Sequence, residues 1–111
     1  MSTIAVEMLI EPGAETLIRI MGRRLGTKAR SKVINRTLDH IRMSAHSSDV
    51  AAWFSEDRIA PARRTTARIS IENADYLNAI AAMLGKGRPA ILLGLVYFAA
   101  ATMDRADLDA A

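Results

Sequence analysis

Apolar residues in the first part of the chain follow two different periods. The even positions from residue 4 to residue 10 are all apolar: Ile4, Val6, Met8 and Ile10. A period of two predicts a half-buried strand. After Pro12, which suits the first turn of a helix because it has no N–H to satisfy, apolar residues recur at three- and four-residue spacing. This second pattern predicts an amphipathic helix that ends at Leu25-Gly26.

A second helix is predicted to open near Arg30-Ser31. Apolar positions on one side of this helix define its expected buried face, which consists of Val33, Ile34, Thr37, Leu38 and Ile41. The opposite side carries polar residues that are expected to be exposed, namely Lys32, Asn35, Arg36 and Asp39. The first part of the chain is therefore predicted to form one strand followed by two helices.

The same order of elements returns in the second half of the chain. A strand is predicted over Thr66–Ile71, with Ile69 and Ile71 on the face that turns to the core. Asn73 is expected to cap the helix that follows, and Gly85 is expected to end it. A last helix opens near Arg88-Pro89.

The two stretches match each other when Gly26 is set against Gly85. A unit of about forty residues with one strand and two helices cannot bury its apolar faces alone, whereas two copies can bury them against each other. We therefore expect residues 1–111 to form a single domain with internal repeats at residues 3–43 and 66–103 and a linker at residues 44–65. The predicted fold is α+β and mostly helical, with the order β-α-α, linker helix, β-α-α and a pseudo-two-fold arrangement.

Two segments raise the question of what covers the core. Ser47-Ser48-Asp49 predicts the N-cap of a short linker helix that carries Trp53 and Phe54. These two aromatic residues either cover an open end of the core or form a docking patch for a protein partner. The helix from Ala90 to Met103 is apolar nearly all round, so it is expected at the centre of the domain or in the interface of a homodimer.

Charge and composition narrow the classes of function. The chain has no cysteine, which is typical of a reducing, cytoplasmic setting, and its apolar run from Pro89 to Met103 is shorter than the roughly 20 residues that span a bilayer. Between residues 12 and 46 there are eight Lys or Arg residues and only two acidic ones. A second basic cluster consists of Arg58, Arg63, Arg64 and Arg68. Concentrated positive charge indicates either a polyanionic partner or a solvated basic face that keeps the protein soluble, and charge alone does not decide between the two.

The residue types that carry catalysis and metal binding are not grouped in this sequence. His40 and His46 lack a third ligand at a suitable spacing, and Gly85-Lys86-Gly87 lacks the spacing of a phosphate-binding loop. No Ser, His and acidic residues are arranged for nucleophilic catalysis. We therefore expect that the protein is not an enzyme and that it binds neither a metal ion nor a cofactor.

The stretch from Leu25-Gly26 through Arg30 to Leu38, together with Arg68-Ile69-Ser70-Ile71, resembles the ribbon–helix–helix family of DNA-binding proteins, the MetJ/Arc type. The resemblance implies that the two strands pair into an antiparallel ribbon that enters the major groove of double-stranded DNA. Carried over position by position, it implies base-reading roles for Thr66, Arg68 and Ser70. It implies phosphate contacts for Lys28, Arg30, Ser31, Arg63, Arg64, Lys86 and Arg88.

The first strand departs from the family pattern. Its outward residues are Thr3, Ala5, Glu7 and Leu9. This set has no positive charge and is poorly suited to contact with DNA. Glu7 is expected to pair with an arginine across the ribbon. This departure indicates that the ribbon reads DNA mainly through its second strand, or that one repeat serves another purpose. A third possibility is that the repeats pair between chains and give a homodimer with two unlike ribbons.

The resemblance implies sequence-specific binding of double-stranded DNA, as a transcriptional repressor or as an accessory factor at a plasmid or phage DNA site. The alternative is a protein-binding module with the same fold, such as an antitoxin or a phage-encoded inhibitor. That alternative would present Trp53 and Phe54, or Glu7 and Leu9, to a protein partner.

Overall fold

The structure is a computed structural model that describes residues 2–54 and 63–103. Within these ranges the chain forms two strands and five helices: β1 (Thr3–Ile10), α1 (Pro12–Leu25), α2 (Arg30–Ser44), α3 (Ser47–Trp53), β2 (Arg63–Ser70), α4 (Ile71–Leu84) and α5 (Arg88–Thr102). The two strands form one antiparallel sheet and the helices hold most of the described residues. The prediction of an α+β, mostly helical fold is confirmed.

One face of the two-stranded ribbon forms a wall of the core. Val6 lies opposite Ala67, and Ile4 lies opposite Ile69. The side chains of Val6, Met8 and Ile10 from β1 and of Ala67 and Ile69 from β2 are buried on this face. Ile4, in contrast, is 41% exposed. Of the predicted apolar face of β1, only Val6, Met8 and Ile10 therefore lie in the core.

The boundaries of β2 differ from the prediction at both ends. The strand begins at Arg63, inside the predicted linker, and ends at Ser70. Ile71 is the first residue of α4 and is 45% exposed, so its predicted place on the core face of the strand is wrong. The reason is the Ser70 hydroxyl, which accepts a hydrogen bond from the backbone N–H of Asn73 at 3.2 Å and so starts the helix at this point. Asn73 is fully buried within α4 and is not the cap.

The predicted start and end of α1, the predicted end of α4 and the predicted buried face of α2 are confirmed. Pro12 begins α1, and Gly26 follows its last residue with a φ of 70°. Gly85 follows α4 with a φ of 64°. A left-handed backbone at these two positions favours glycine, since other side chains are strained there. The buried residues of α2 are the predicted ones, namely Val33, Ile34, Thr37, Leu38 and Ile41.

Helix α5 lies at the centre of the described structure. It packs against β1, α1, α2 and α4, and its buried residues are Ile91, Leu92, Leu95, Val96, Phe98 and Ala99. This enclosure explains why so few of its positions are polar. Among the described helices, no single one is long and apolar enough to cross a membrane. Taken together, α4 and α5 have the length and apolar composition of a membrane span, but they are bent by 104° relative to each other.

The linker helix α3 covers the remaining side of α5. Trp53 donates a hydrogen bond from Nε1 to the carbonyl oxygen of Gly94 at 3.0 Å, and its ring meets Phe98 edge-on with 5.7 Å between the centroids. Phe54 packs against the core beside Gly94. Both aromatic residues thus cover the core, and the close approach at Gly94 is made by this chain itself. The predicted cap at Ser47-Ser48-Asp49 is wrong, because His46 precedes the helix and makes no side-chain cap.

Gly94→Ala is expected to destabilise the protein by about 1–3 kcal/mol, the usual cost of overfilling a packed core. A Cβ at Gly94 would lie 2.1 Å from Cε1 of Phe54, so the ring must move. Urea unfolding measures the cost. In a Phe54→Ala background the same substitution should cost clearly less, because the clashing ring is gone. Equal costs in the two backgrounds would contradict this packing.

Candidate nucleic-acid interface

The second face of the ribbon turns away from the core. By alternation it carries Thr3, Ala5, Glu7 and Leu9 from β1 and Arg64, Thr66, Arg68 and Ser70 from β2. Leu9 and Ser70 are partly buried and the other six residues are exposed. We call these eight residues the ribbon face. Strand β2 contributes two arginines and two hydroxyl groups to this face, and β1 contributes one hydroxyl group, two apolar side chains and one carboxylate.

Both arginines of the ribbon face lean across to β1. Arg68 donates from Nε to the hydroxyl of Thr3 at 3.1 Å and from Nη2 to the carbonyl oxygen of Thr3 at 3.2 Å. Arg64 pairs through Nη1 with Oε2 of Glu7 at 2.9 Å. The predicted pairing of Glu7 with an arginine across the ribbon is therefore confirmed. Exposed contacts of this kind contribute about 0–1 kcal/mol, so a ligand can replace them at low cost.

Two of the predicted contact hydroxyls bond to the protein's own backbone. Ser70 caps α4, as described above. Ser31, near the start of α2, accepts a hydrogen bond from the backbone N–H of Arg68 at 3.0 Å. Ser31 thus holds β2 in place at Arg68, and its hydroxyl is engaged there.

Asn35 of α2 makes a contact that the sequence pattern missed. Its Nδ2 donates to the carbonyl oxygen of Arg68 at 2.8 Å, and its Oδ1 accepts from the backbone N–H of Ser70 at 2.8 Å. Asn35 is partly buried, so its predicted place on an exposed face is wrong. The amide pairs with the outer edge of β2 as a further strand would, and it satisfies backbone groups that are otherwise open at an edge.

Asn73 extends this contact into a polar network between α2 and α4. Its Nδ2 donates to Oδ1 of Asp39 at 2.8 Å and to Oδ1 of Asn35 at 3.2 Å. Its Oδ1 accepts from Nε of Arg42 at 3.3 Å. A polar residue inside the apolar stripe of a helix was the one signal in the sequence that could have indicated such a network.

Two of the predicted phosphate-binding arginines meet at Glu15, near the Arg63 end of the ribbon. Arg63 forms an ion pair with the Glu15 carboxylate, and Nη2 of Arg30 lies 3.8 Å from the same carboxylate. Arg30 also donates from Nη1 to the hydroxyl of Thr65 in β2 at 2.9 Å. The start of α2 is thereby tied to the ribbon at both Ser31 and Arg30.

The remaining predicted contacts lie before or at the starts of α2 and α5. Lys28 is exposed in the turn before α2, and Lys86 is partly buried in the turn before α5. Arg88, the first residue of α5, donates to Oδ1 of Asn78 at 3.1 Å. Arg58 lies outside the described residues. Positive side chains therefore occur on the ribbon face, at its end and beside both second helices.

Comparisons of the chain with protein-family models, with curated proteins and with solved structures give no match. Within residues 2–54 and 63–103, no three His, Cys, Asp or Glu side chains are grouped so that they could hold a metal ion. The functional argument therefore depends on the geometry of the ribbon and its surroundings.

Proposed function

We propose that the protein binds double-stranded DNA by placing the ribbon face in the major groove. The observation that carries the proposal is a two-stranded antiparallel ribbon with one face in the core and the other turned outward, bearing Arg64, Thr66 and Arg68. A two-stranded ribbon fits the major groove, which is about 12 Å wide. Arginine can bond to N7 and O6 of guanine at once, and threonine can reach base edges or the thymine methyl group.

The proposal includes a pseudo-two-fold arrangement of residues 3–43 and 66–103. Its support is the pattern of packing: α2 packs on β2, whereas α5 packs on β1, so each strand is covered by the second helix of the other half. Gly26 and Gly85 adopt the same left-handed backbone at equivalent positions. Ala14 and Asn73, which are equivalent in this alignment, are both buried. Under this arrangement neither half has a complete core without the other.

Base reading is assigned mainly to β2. Arg68 is exposed, and its backbone is held by Ser31 and Asn35, so the guanidinium starts from a defined position. The contacts of Arg68 with Thr3 are solvent-exposed and can be exchanged for base contacts. Across from Arg68, Ala5 can approach a thymine methyl group but cannot bond to a base edge. The bound DNA site is therefore expected to lack two-fold symmetry.

For the biological role we propose a transcriptional repressor or an accessory factor that marks a plasmid or phage DNA site. Both roles need sequence-specific DNA binding without catalysis, and the arginine and threonine side chains of the ribbon face can contact base edges. The DNA upstream of the protein's own gene is the first duplex to test, because a repressor that controls its own gene would bind there.

Arg68→Ala is expected to cost about 1–3 kcal/mol of discrimination between the preferred duplex and one with its contacted guanine replaced. The preferred duplex is first selected from a random pool, and dissociation constants are then measured by fluorescence anisotropy. Arg24→Ala is the matched control, because Arg24 is exposed on α1 and is not part of the ribbon face. It should leave the discrimination unchanged.

A protein-binding module is the second candidate, and the outward side of β1 is the observation that favours it. Glu7 and Leu9 lie together on the ribbon face, where DNA gains little from them. Trp53 and Phe54 no longer support this candidate, since both pack on the core. If the pure protein shows no salt-sensitive binding to any duplex at about 50 mM salt, the DNA proposal is wrong and this candidate replaces it.

A further inference from the structure

A basic cleft lies between α1 and the start of α2. Its volume is about 610 Å³, and its floor includes Ile18 and Val33. Five charged side chains line it, namely Arg19, Arg23, Lys28 and Arg30 as cations and Glu15 as the single anion. We call it the α1–α2 cleft.

The cations of the α1–α2 cleft are not balanced within the described chain. Glu15 is engaged by Arg63 and lies close to Arg30. The side chains of Arg19, Arg23 and Lys28 make no hydrogen bond or ion pair with any other described residue. Like charges that converge on one concave surface create a positive potential, and an anion in the cleft relieves their repulsion.

The α1–α2 cleft is continuous with one end of the ribbon. Arg30 lines the cleft and donates to the hydroxyl of Thr65 in β2 at 2.9 Å. Glu15, also in the cleft, pairs with Arg63 at the first position of β2. With the ribbon in the major groove, a sugar–phosphate backbone borders the groove beside β2, the strand to which Arg30 and Glu15 of the cleft are bonded.

We propose that the α1–α2 cleft binds backbone phosphates of the duplex whose major groove holds the ribbon, with Arg19 and Arg23 as contacts that lie outside the ribbon and the start of α2. This inference rests on the proposed DNA-binding function. The equivalent positions of the other half, with Gly26 set against Gly85, are Asn78 and Ala82. These additional phosphate contacts are therefore made on one side only, and the protected DNA extends further on the side of α1.

The test compares two neighbouring arginines with the same charge change. Arg23 lines the cleft and Arg24 does not, and both are exposed on α1, so neither variant should affect folding. Arg23→Gln is expected to reduce the slope of log K against log salt by about 0.9, the value for one phosphate contact, and Arg24→Gln to leave it unchanged. The double variant R19Q/R23Q should reduce the slope by about 1.8. Its preference between the selected duplex and random duplexes should be unchanged, because phosphate contacts carry no sequence information.

Hydroxyl-radical footprinting of the selected duplex gives an independent measurement. Wild-type protein should protect backbone positions further to one side, and R19Q/R23Q should lose that added protection. Equal salt slopes for Arg23→Gln and Arg24→Gln would refute the cleft contact, while an intact effect of Arg68→Ala would leave the ribbon proposal standing. Saturable binding of inorganic phosphate that needs Arg19 and Arg23, with an unchanged DNA slope, would assign the cleft to a free anion instead. Absence of any duplex binding by the wild-type protein would overturn both proposals.

Discussion

Leu92→Asp is expected to abolish the cooperative folding of this protein. Leu92 is fully buried in α5, the helix that packs against β1, α1, α2 and α4. A carboxylate in such a position has no partner and costs several kcal/mol. The whole stability of a small domain is only about 5–15 kcal/mol, so this one cost removes most of it. Loss of the thermal transition in circular dichroism, with an exposed apolar surface that binds a hydrophobic dye, is the expected result.

Two further variants control for charge and for chain position. Met43→Asp adds the same charge in the last turn of α2 at a residue that is 78% exposed, and it should cost only about 1 kcal/mol, from the helix dipole and the lower helix propensity of aspartate. Leu92→Met keeps the volume and should cost less than about 1.5 kcal/mol. A melting temperature of Leu92→Asp equal to that of the wild type would show that α5 is not at the centre of the core.

Asn73→Leu is expected to destabilise the protein by about 1–3 kcal/mol, although leucine has a similar shape and suits a helix. Asn73 is fully buried and bonds to Asn35, Asp39 and Arg42. Its loss leaves the partly buried Asn35 without one of its partners beside β2, whereas the side chains of Asp39 and Arg42 are partly exposed and can bond to water instead. The free energy of unfolding in urea measures the effect.

Asn78→Leu is the matched control for this prediction, because Asn78 lies on the exposed side of the same helix and its hydrogen bond from Arg88 is open to solvent. It should change the stability by about 0.5 kcal/mol or less. Hydrogen exchange gives a local readout as well. The amides of Arg68 and Ser70, which bond to Ser31 and Asn35, should exchange faster in Asn73→Leu. Unchanged stability and unchanged exchange together would contradict a role for the network in holding β2.

Local pattern was enough to place most elements. The buried face of α2 follows from apolar spacing alone, since five positions on one side of a helix must turn to the core together. Pro12 and Gly26 mark the two ends of α1 because their backbone preferences act within a single turn. Alternation along β1 likewise placed Glu7 on the outward face, where it meets Arg64. These features depend on neighbours that are close in sequence.

The contacts that shape the candidate interface were not visible in the pattern. Asn35 and Arg68 are far apart in the chain, yet the side-chain amide of Asn35 donates a hydrogen bond to the backbone carbonyl oxygen of Arg68. Arg30 reaches Thr65 in the same way. Sequence periodicity reports which side of an element is apolar, but it does not report which polar groups meet once two elements have packed.

The sequence by itself determined the α+β composition, the order of the elements and the buried face of α2, because each follows from local spacing and from glycine and proline at the ends of helices. Only the tertiary structure decided that Trp53 and Phe54 cover α5, that Ser70 ends β2, and that Arg19 and Arg23 line a cleft beside the ribbon. The physical reason is the same in each case. Packing brings together surfaces from distant parts of the chain, and the energy of a polar or aromatic contact depends on the partner that it meets there.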